Sequence, residues 1–177
     1  CDPAWDSDGM AALSPPEDRP GARFVDENLR GAHFVRCDLS GVVMRGVDVI
    51  LHDASRTNVS LAIDYGAGRA PAEGDDPSLV IVAVPPDATA DVIATELAAW
   101  PNATVTDVSS VKAGILRELE SLGADLTRYV GSHPLAGRER GGAISARADL
   151  FIGRPWVITG GQGKHRRLVE DLVIELE

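Results

Sequence analysis

The chain has 177 residues, with 17 Lys and Arg against 27 Asp and Glu, a formal charge of −10 and 44% apolar residues. This is one ordinary domain's worth of chain, with enough apolar material for a core and too much for a disordered segment. The acidic balance argues against a nucleic-acid binder, whose affinity rests on Lys and Arg, and the longest apolar run, 79–84, is far too short to span a membrane. Cys1 and Cys37 make neither a disulfide framework nor a zinc spacing, so no metal site is expected. No basic stretch followed by an apolar run marks a signal peptide, and a cytoplasmic setting is expected. The chain opens without Met, as a fragment or a processed product does.

Residues 1–20 hold four prolines and no periodic apolar pattern, which predicts a mobile tail. From there Phe24, Leu29, Phe34, Leu39, Met44 and Val49 recur every five residues. Two positions before each lie Ala22, Glu27, Ala32, Cys37, Val42 and Val47. Neither helix nor strand periodicity divides five. Over about 22–50 the pattern resembles the pentapeptide-repeat family, which implies a four-sided right-handed β-helix, with Glu27 departing where a small residue is expected. Residues 21–52 are therefore expected to form a segment of their own. Solenoid units need stacked neighbours, so so few repeats read as packing rather than as a dedicated binding surface.

Further along, strands and helices alternate. The run SLVIVAV at 78–84, ending in Pro85-Pro86, predicts a buried parallel strand. A helix is predicted over 89–100, burying Val92, Ile93, Leu97 and Trp100, with Asp87 or Thr89 as its cap. A strand follows at 103–108. The next helix, 110–122, would bury Val111, Ile115, Leu119 and Leu122, with Gly123 closing it. A short strand at 128–131, a Gly-rich loop over 132–149 with a helical turn at 146–150, a strand at 155–159 and a helix over 165–176 complete the order. The expected fold is α/β: a partial doubly wound, Rossmann-like parallel sheet preceded by the repeat-like segment. Ligands of such sheets bind beyond the carboxyl ends of the strands. Three polar groups fall there, Pro85-Pro86-Asp87, the run 106–112 and the run 131–137.

VIVAVPPDAT, VTDVSSVKAGIL, YVGSHPLAGRERGG and ADLFIGRPWVIT, in this order, resemble the prephenate dehydrogenase family over about 58–159. The resemblance implies oxidative decarboxylation of prephenate to 4-hydroxyphenylpyruvate, with hydride passing to NAD or NADP. It implies that His133 takes the proton of the ring hydroxyl and that Ser110 hydrogen-bonds this histidine. Glu139 would stand at the pocket mouth, and Val84, Pro85, Thr106 and Asp107 would line the cofactor. Lys112 reads either as a ligand contact or as a solvated first-turn residue. Ser109 and Ser110 also suit helix N-caps. Arg138, Arg140 and Arg147 suit either carboxylate binding or a solvated loop face.

The chain departs from the family pattern at both ends. No GxGxxG turn is present, and Gly66 and Gly68 run into Pro71, which does not continue as a phosphate-binding helix. Residues 59–65 read as the tail of the family's second helix, leading into GAGRA as a remnant strand. A join near 50–58 is expected, with a truncated nucleotide-binding domain over 58–177. Beyond Thr159 there are 18 residues, one helix's worth, where the family continues into a helical domain that forms its dimer. An uncovered strand edge favours self-association into a homo-oligomer. The alternative is a recombined, non-catalytic interaction protein that binds no NAD.

Overall fold

The computed structural model describes residues 48–136 and 149–176, together with the backbone of 23–24, 32–35 and 43–44. Strands β1 (Arg23–Phe24) and β3 (Val43–Met44) form a short parallel pair. Six strands build the main sheet in the order β4-β2-β5-β6-β7-β8: β2 is Ala32–Val35, β4 Ile50–His52, β5 Leu79–Val82, β6 Thr104–Asp107, β7 Tyr129–Pro134 and β8 Trp156–Gly160. The first five run parallel, and β8 pairs antiparallel to β7 with His133 opposite Val157. The sheet is thus mixed, where strand–helix alternation predicted an all-parallel one. A five-residue apolar strand carries no mark of its direction, and its direction is fixed by how the chain returns. Here Leu135 N donates to Pro155 O (2.8 Å), closing the excursion between β7 and β8 at its base.

The repeat expected over 22–50 lies largely outside the described residues. Of what is described of it, β1 and β3 pair with each other, while the rest belongs to the α/β sheet. β2 runs between β4 and β5, and β4 carries Ile50 and Leu51 into the core. Helix α1 (Arg56–Asp64), capped by Ser55, follows β4, and Arg69 then bridges to Ile50 in parallel. The helix tail and GAGRA remnant expected there are present. The strand before them is present too, so the first βαβ unit is not missing as a whole.

Four helices cover the two faces. On one face α2 (Pro86–Ala99) and α3 (Ala113–Ser121) bury Ile93, Leu97, Ile115 and Leu119 against Val80, Val82, Val105 and Tyr129. On the other, α1 and α4 (Gly163–Leu176) enclose Leu51, Leu79, Ile81 and Val130 with Val169, Leu172 and Leu176. Being covered twice is why β5 reads as a continuous apolar run. Helix α2 begins three residues earlier than predicted. Neither Asp87 nor Thr89 caps it: Pro85 holds the cap position and the Thr89 hydroxyl donates back to Pro85 O (3.0 Å). Proline supplies a preset φ and needs no partner for an N–H, so the start requires no side-chain cap. Helix α3 is shorter than predicted at both ends, which leaves Val111 and Leu122 exposed rather than buried. Among the described residues, no helix is long and apolar enough to cross a membrane.

Two side chains tie the amino ends of the strands to the helices. Arg128 donates to Leu97 O (2.6 Å), Trp100 O (2.8 Å) and Ala103 O (2.9 Å), closing the end of α2 with a charge suited to its dipole. His165, in the first turn of α4, is hydrogen-bonded through Nδ1 to Thr104 Oγ1 (2.7 Å). Burial, then the neighbouring Lys164 and Arg128, hold its imidazole below the ordinary value of 6.5. The unfolded chain therefore takes up this proton first as pH falls. Stability from the neutral ring is complete above pH 6.5 and declines as pH drops through the folded-state value. Urea unfolding between pH 7.5 and pH 5, buffer conditions set at about these values, is expected to show this loss in the wild type and a flatter profile in His165→Gln.

Candidate active site

The carboxyl ends of β4 to β7 carry the polar residues singled out in the sequence. At the end of β4, His52, Asp53 and Ala54 face Asp91, Val92, Thr95 and Glu96 of α2 across a cavity of about 260 Å³, with Val84 on its wall. Asp53 Oδ1 accepts from Ser55 N (2.7 Å) and Asn58 Nδ2 (3.3 Å), so the turn into α1 orients this carboxylate. Sequence reasoning missed Asp53. A short run of strand formers ending in Asp, followed by Ser55 as helix cap, was the available signal. The five-residue register, with Val49 as its sixth member, absorbed that strand.

Val84, expected to line a cofactor, stands on the wall of this cavity, and Pro85 is exposed beside it at the start of α2. Thr106 and Asp107 are fully buried. Asp107 accepts from Tyr129 Oη at Oδ1 (2.8 Å), and from Ser109 N (3.0 Å) and Lys112 Nζ at Oδ2. Both side chains, expected to line a cofactor, lie in the buried layer at the carboxyl end of β6. Burial pushes the Tyr129 hydroxyl well above the ordinary tyrosine range, and the adjacent Asp107 carboxylate adds to the shift. Burial lowers the Lys112 ammonium from its usual value, and the Asp107 charge opposes that. Lys112 is therefore neither a solvated first-turn residue nor a group aimed at open solvent. Its side chain is 20% exposed.

His133 is half-buried in β7, which ends three residues later than predicted and carries the histidine to the carboxyl edge. Strand alternation puts it on the face of Gly131 and Tyr129, the face covered by α2 and α3. Ser110 is exposed in the turn between β6 and α3. Among the described residues no hydrogen bond joins Ser110 to His133. Glu139, Arg138, Arg140 and Arg147 lie outside the described residues, as does most of the helical turn expected at 146–150. Among the described residues, no group of three or more His, Cys, Asp or Glu is placed to hold a metal ion.

The family described as prephenate dehydrogenase, nucleotide-binding domain, matches residues 42–176. The chain belongs to this family. The match begins ahead of the join expected at 50–58 and takes in β4 and the turn carrying Asp53. Among curated relatives, the probable prephenate dehydrogenase NovF of Streptomyces niveus is 42% identical over 125 residues, which is 70% of this chain and 34% of that protein. Prephenate dehydrogenase of Bacillus subtilis is 31% identical over 68 residues, 38% of this chain and 18% of that one. This member of the prephenate dehydrogenase family thus spans about a third of the first relative's length. Among solved structures, prephenate dehydrogenase from Aquifex aeolicus, in complex with hydroxyphenyl propionate and NAD+, superposes with a TM-score of 0.68 at 23% identity, covering 82% of this chain and 56% of that one. Synechocystis arogenate dehydrogenase gives 0.64 at 22% identity, covering 81% and 55%. These likenesses show the shared fold.

Gly131 sits at the centre of the buried layer. A Cβ there would stand 2.6 Å from Thr159 Oγ1, a clash, and 3.2 Å from Tyr129 Oη, a tight approach beside the hydroxyl that donates to Asp107. Gly131→Ala is expected to lower stability by about 1–3 kcal/mol through overpacking. Urea unfolding checks this, and Thr159→Ala in the same chain should restore part of the loss.

Proposed function

We propose that this chain is the nucleotide-binding portion of an NAD-dependent dehydrogenase that oxidatively decarboxylates prephenate, with His133 as proton acceptor and Ser110 and Glu139 beside it. The observation that carries this reading is the place of His133: on β7, at the carboxyl edge of a sheet whose β4 edge holds a cavity walled by Asp53 and Val84. The residues present fit the adenosine half of a dinucleotide. An acidic residue at the end of the second strand is the ribose-reading position of such folds. After β2 the sequence reads RCDLSG, which is no GxGxxG, so the pyrophosphate has no glycine turn of the usual kind.

When bound, the nicotinamide would supply the hydride acceptor. The chain's own part is proton handling and placement. As hydride leaves the ring carbon bearing the hydroxyl, His133 takes the hydroxyl proton. The bond to the ring carboxylate then breaks, carbon dioxide departs, and its electron pair completes the aromatic ring. The proton returns to the phenolate oxygen, leaving 4-hydroxyphenylpyruvate. A neutral imidazole is suited to this at pH near 7. Ser110 would orient the ring, and hydrogen bonds of this kind often tighten only in the complex.

Three carboxylates, Asp53, Asp91 and Glu96, stand on the cavity wall. Their charge opposes a 2′-phosphate, which supports NAD over NADP. Fluorescence titration should show NAD binding at least about tenfold tighter than NADP, a difference of roughly 1.4 kcal/mol, with the preference reduced in Asp53→Asn. Equal affinities in the wild type would remove the NAD assignment.

Prephenate-dependent reduction of NAD by the purified chain, with arogenate run in parallel, tests the reaction itself. His133→Asn is expected to lower kcat by about 100-fold or more with the fold intact, the scale of a lost general base. Turnover that survives the substitution would sink the role given to His133, and turnover with arogenate alone would move the substrate.

A further inference from the structure

Beside His133 and Ser110 lies a buried charge pair that the reaction above does not use. Asp107 ends β6 with no exposure, in register with Gly131 of β7. Its carboxylate holds the Ser109 amide and the Lys112 ammonium, and its main-chain carbonyl accepts from Ser132 Oγ (2.7 Å). Ser109 and Lys112 are the two feet of the short arch that carries Ser110. Ser132, itself buried, is the residue immediately before His133. One aspartate is therefore bonded to both segments on which the proposed chemistry depends.

Lys112 is the member of this cluster that fixes the arch. Asp107 reaches the near foot through a backbone amide, which any residue supplies. The far foot enters α3, with Lys112 O accepting from Leu116 N (3.0 Å), and it is tied to the sheet by the lysine side chain, whose Cδ would lie 3.4 Å from a Cβ at Gly131. Its stem thus lies across β7 two residues before His133. Tyr129, donating to the other carboxylate oxygen, holds the acceptor in place from the strand below.

We propose that Lys112 is a positioning residue: anchored on Asp107, it clamps the arch bearing Ser110 onto the strand bearing His133. The inference rests on the reading of His133 and Ser110 as the reacting pair. Lys112 touches neither substrate nor cofactor in this scheme, and its effect passes through the backbone of 109–112.

The test compares wild type with Lys112→Met and Lys112→Arg by NMR, following the amides of Ser109, Ser110 and Val111 and the ring of His133, with NAD binding measured alongside. In Lys112→Met the arch amides and the His133 ring signals are expected to shift or broaden, while β5 signals stay in place and NAD affinity stays within about twofold. Lys112→Arg, which keeps the charge, should move the signals back toward wild type. Where the chain oxidises prephenate, Lys112→Met should lower kcat about 100-fold with KM for NAD little changed, the scale for a reacting group misplaced by an ångström.

Wild-type signals at Ser110 and His133 in folded Lys112→Met would overturn the proposal. So would NAD affinity falling in step with kcat, which would make Lys112 a ligand contact. Should Lys112→Met fail to fold, Asp107→Asn with Lys112→Met removes the lone buried charge and carries the same comparison. The NMR comparison reads the clamp whether or not prephenate is oxidised, so failure of the catalytic reading and failure of the clamp are separate results.

Discussion

A carboxylate with no access to water sits at the end of a central strand, and much of the surrounding structure exists to satisfy it. An isolated buried charge is costly enough that removing its partner typically loses about 3–5 kcal/mol. Asp107 is therefore tolerable only with an ammonium, a hydroxyl and an amide all directed at it, as Lys112, Tyr129 and Ser109 are. Each of these demands something further. The tyrosine hydroxyl passes close over its own strand at Gly131, where a side chain would crowd it and collide with Thr159. The lysine needs a turn tight enough to bring it back over β7, and the Ser109 oxygen supports that turn by accepting from Val111 N (3.3 Å). Four residues in two separate motifs, Ser109, Lys112, Tyr129 and Gly131, are thus arranged around one acid.

The layers on either side of the sheet decide where chemistry is accessible. Among the described residues, helices pack on both faces of the sheet, leaving the carboxyl edge and the cavity at the flank beside β4. There the parallel strands end together, and residues distant in sequence (53, 84, 110 and 133) come to one rim. The antiparallel β8 closes the opposite flank without interrupting that rim, since it pairs along β7 through His133 and Pro134.

Much of this was legible in the chain itself. A continuous apolar run marked β5 because both its faces are buried, and 3.6-residue spacing marked α2, α3 and α4. The motif TDVSSVK drew attention to the right turn, but sequence spacing does not tell an aspartate that meets a ligand from one that meets a lysine five residues on. That distinction is made by burial. The first strands were hidden for a different reason. In 22–50 two patterns overlap, a five-residue recurrence and the strand ending at Asp53, and the stronger periodicity masked the shorter signal. Strand direction at β8 was beyond reach because it depends on a closure between Leu135 and Pro155, twenty residues apart in the chain.

That closure has an implication for how such a protein diversifies. Because the excursion between β7 and β8 is pinched shut by a main-chain bond at its base, its length and composition are mechanically insulated from the sheet. Lengthening a loop whose ends are already fixed costs little, growing only logarithmically with the number of residues. A change of length between Leu135 and Pro155 therefore leaves the pairing of His133 with Val157 in register, so the sheet tolerates variation in sequence there that it would not tolerate within either strand.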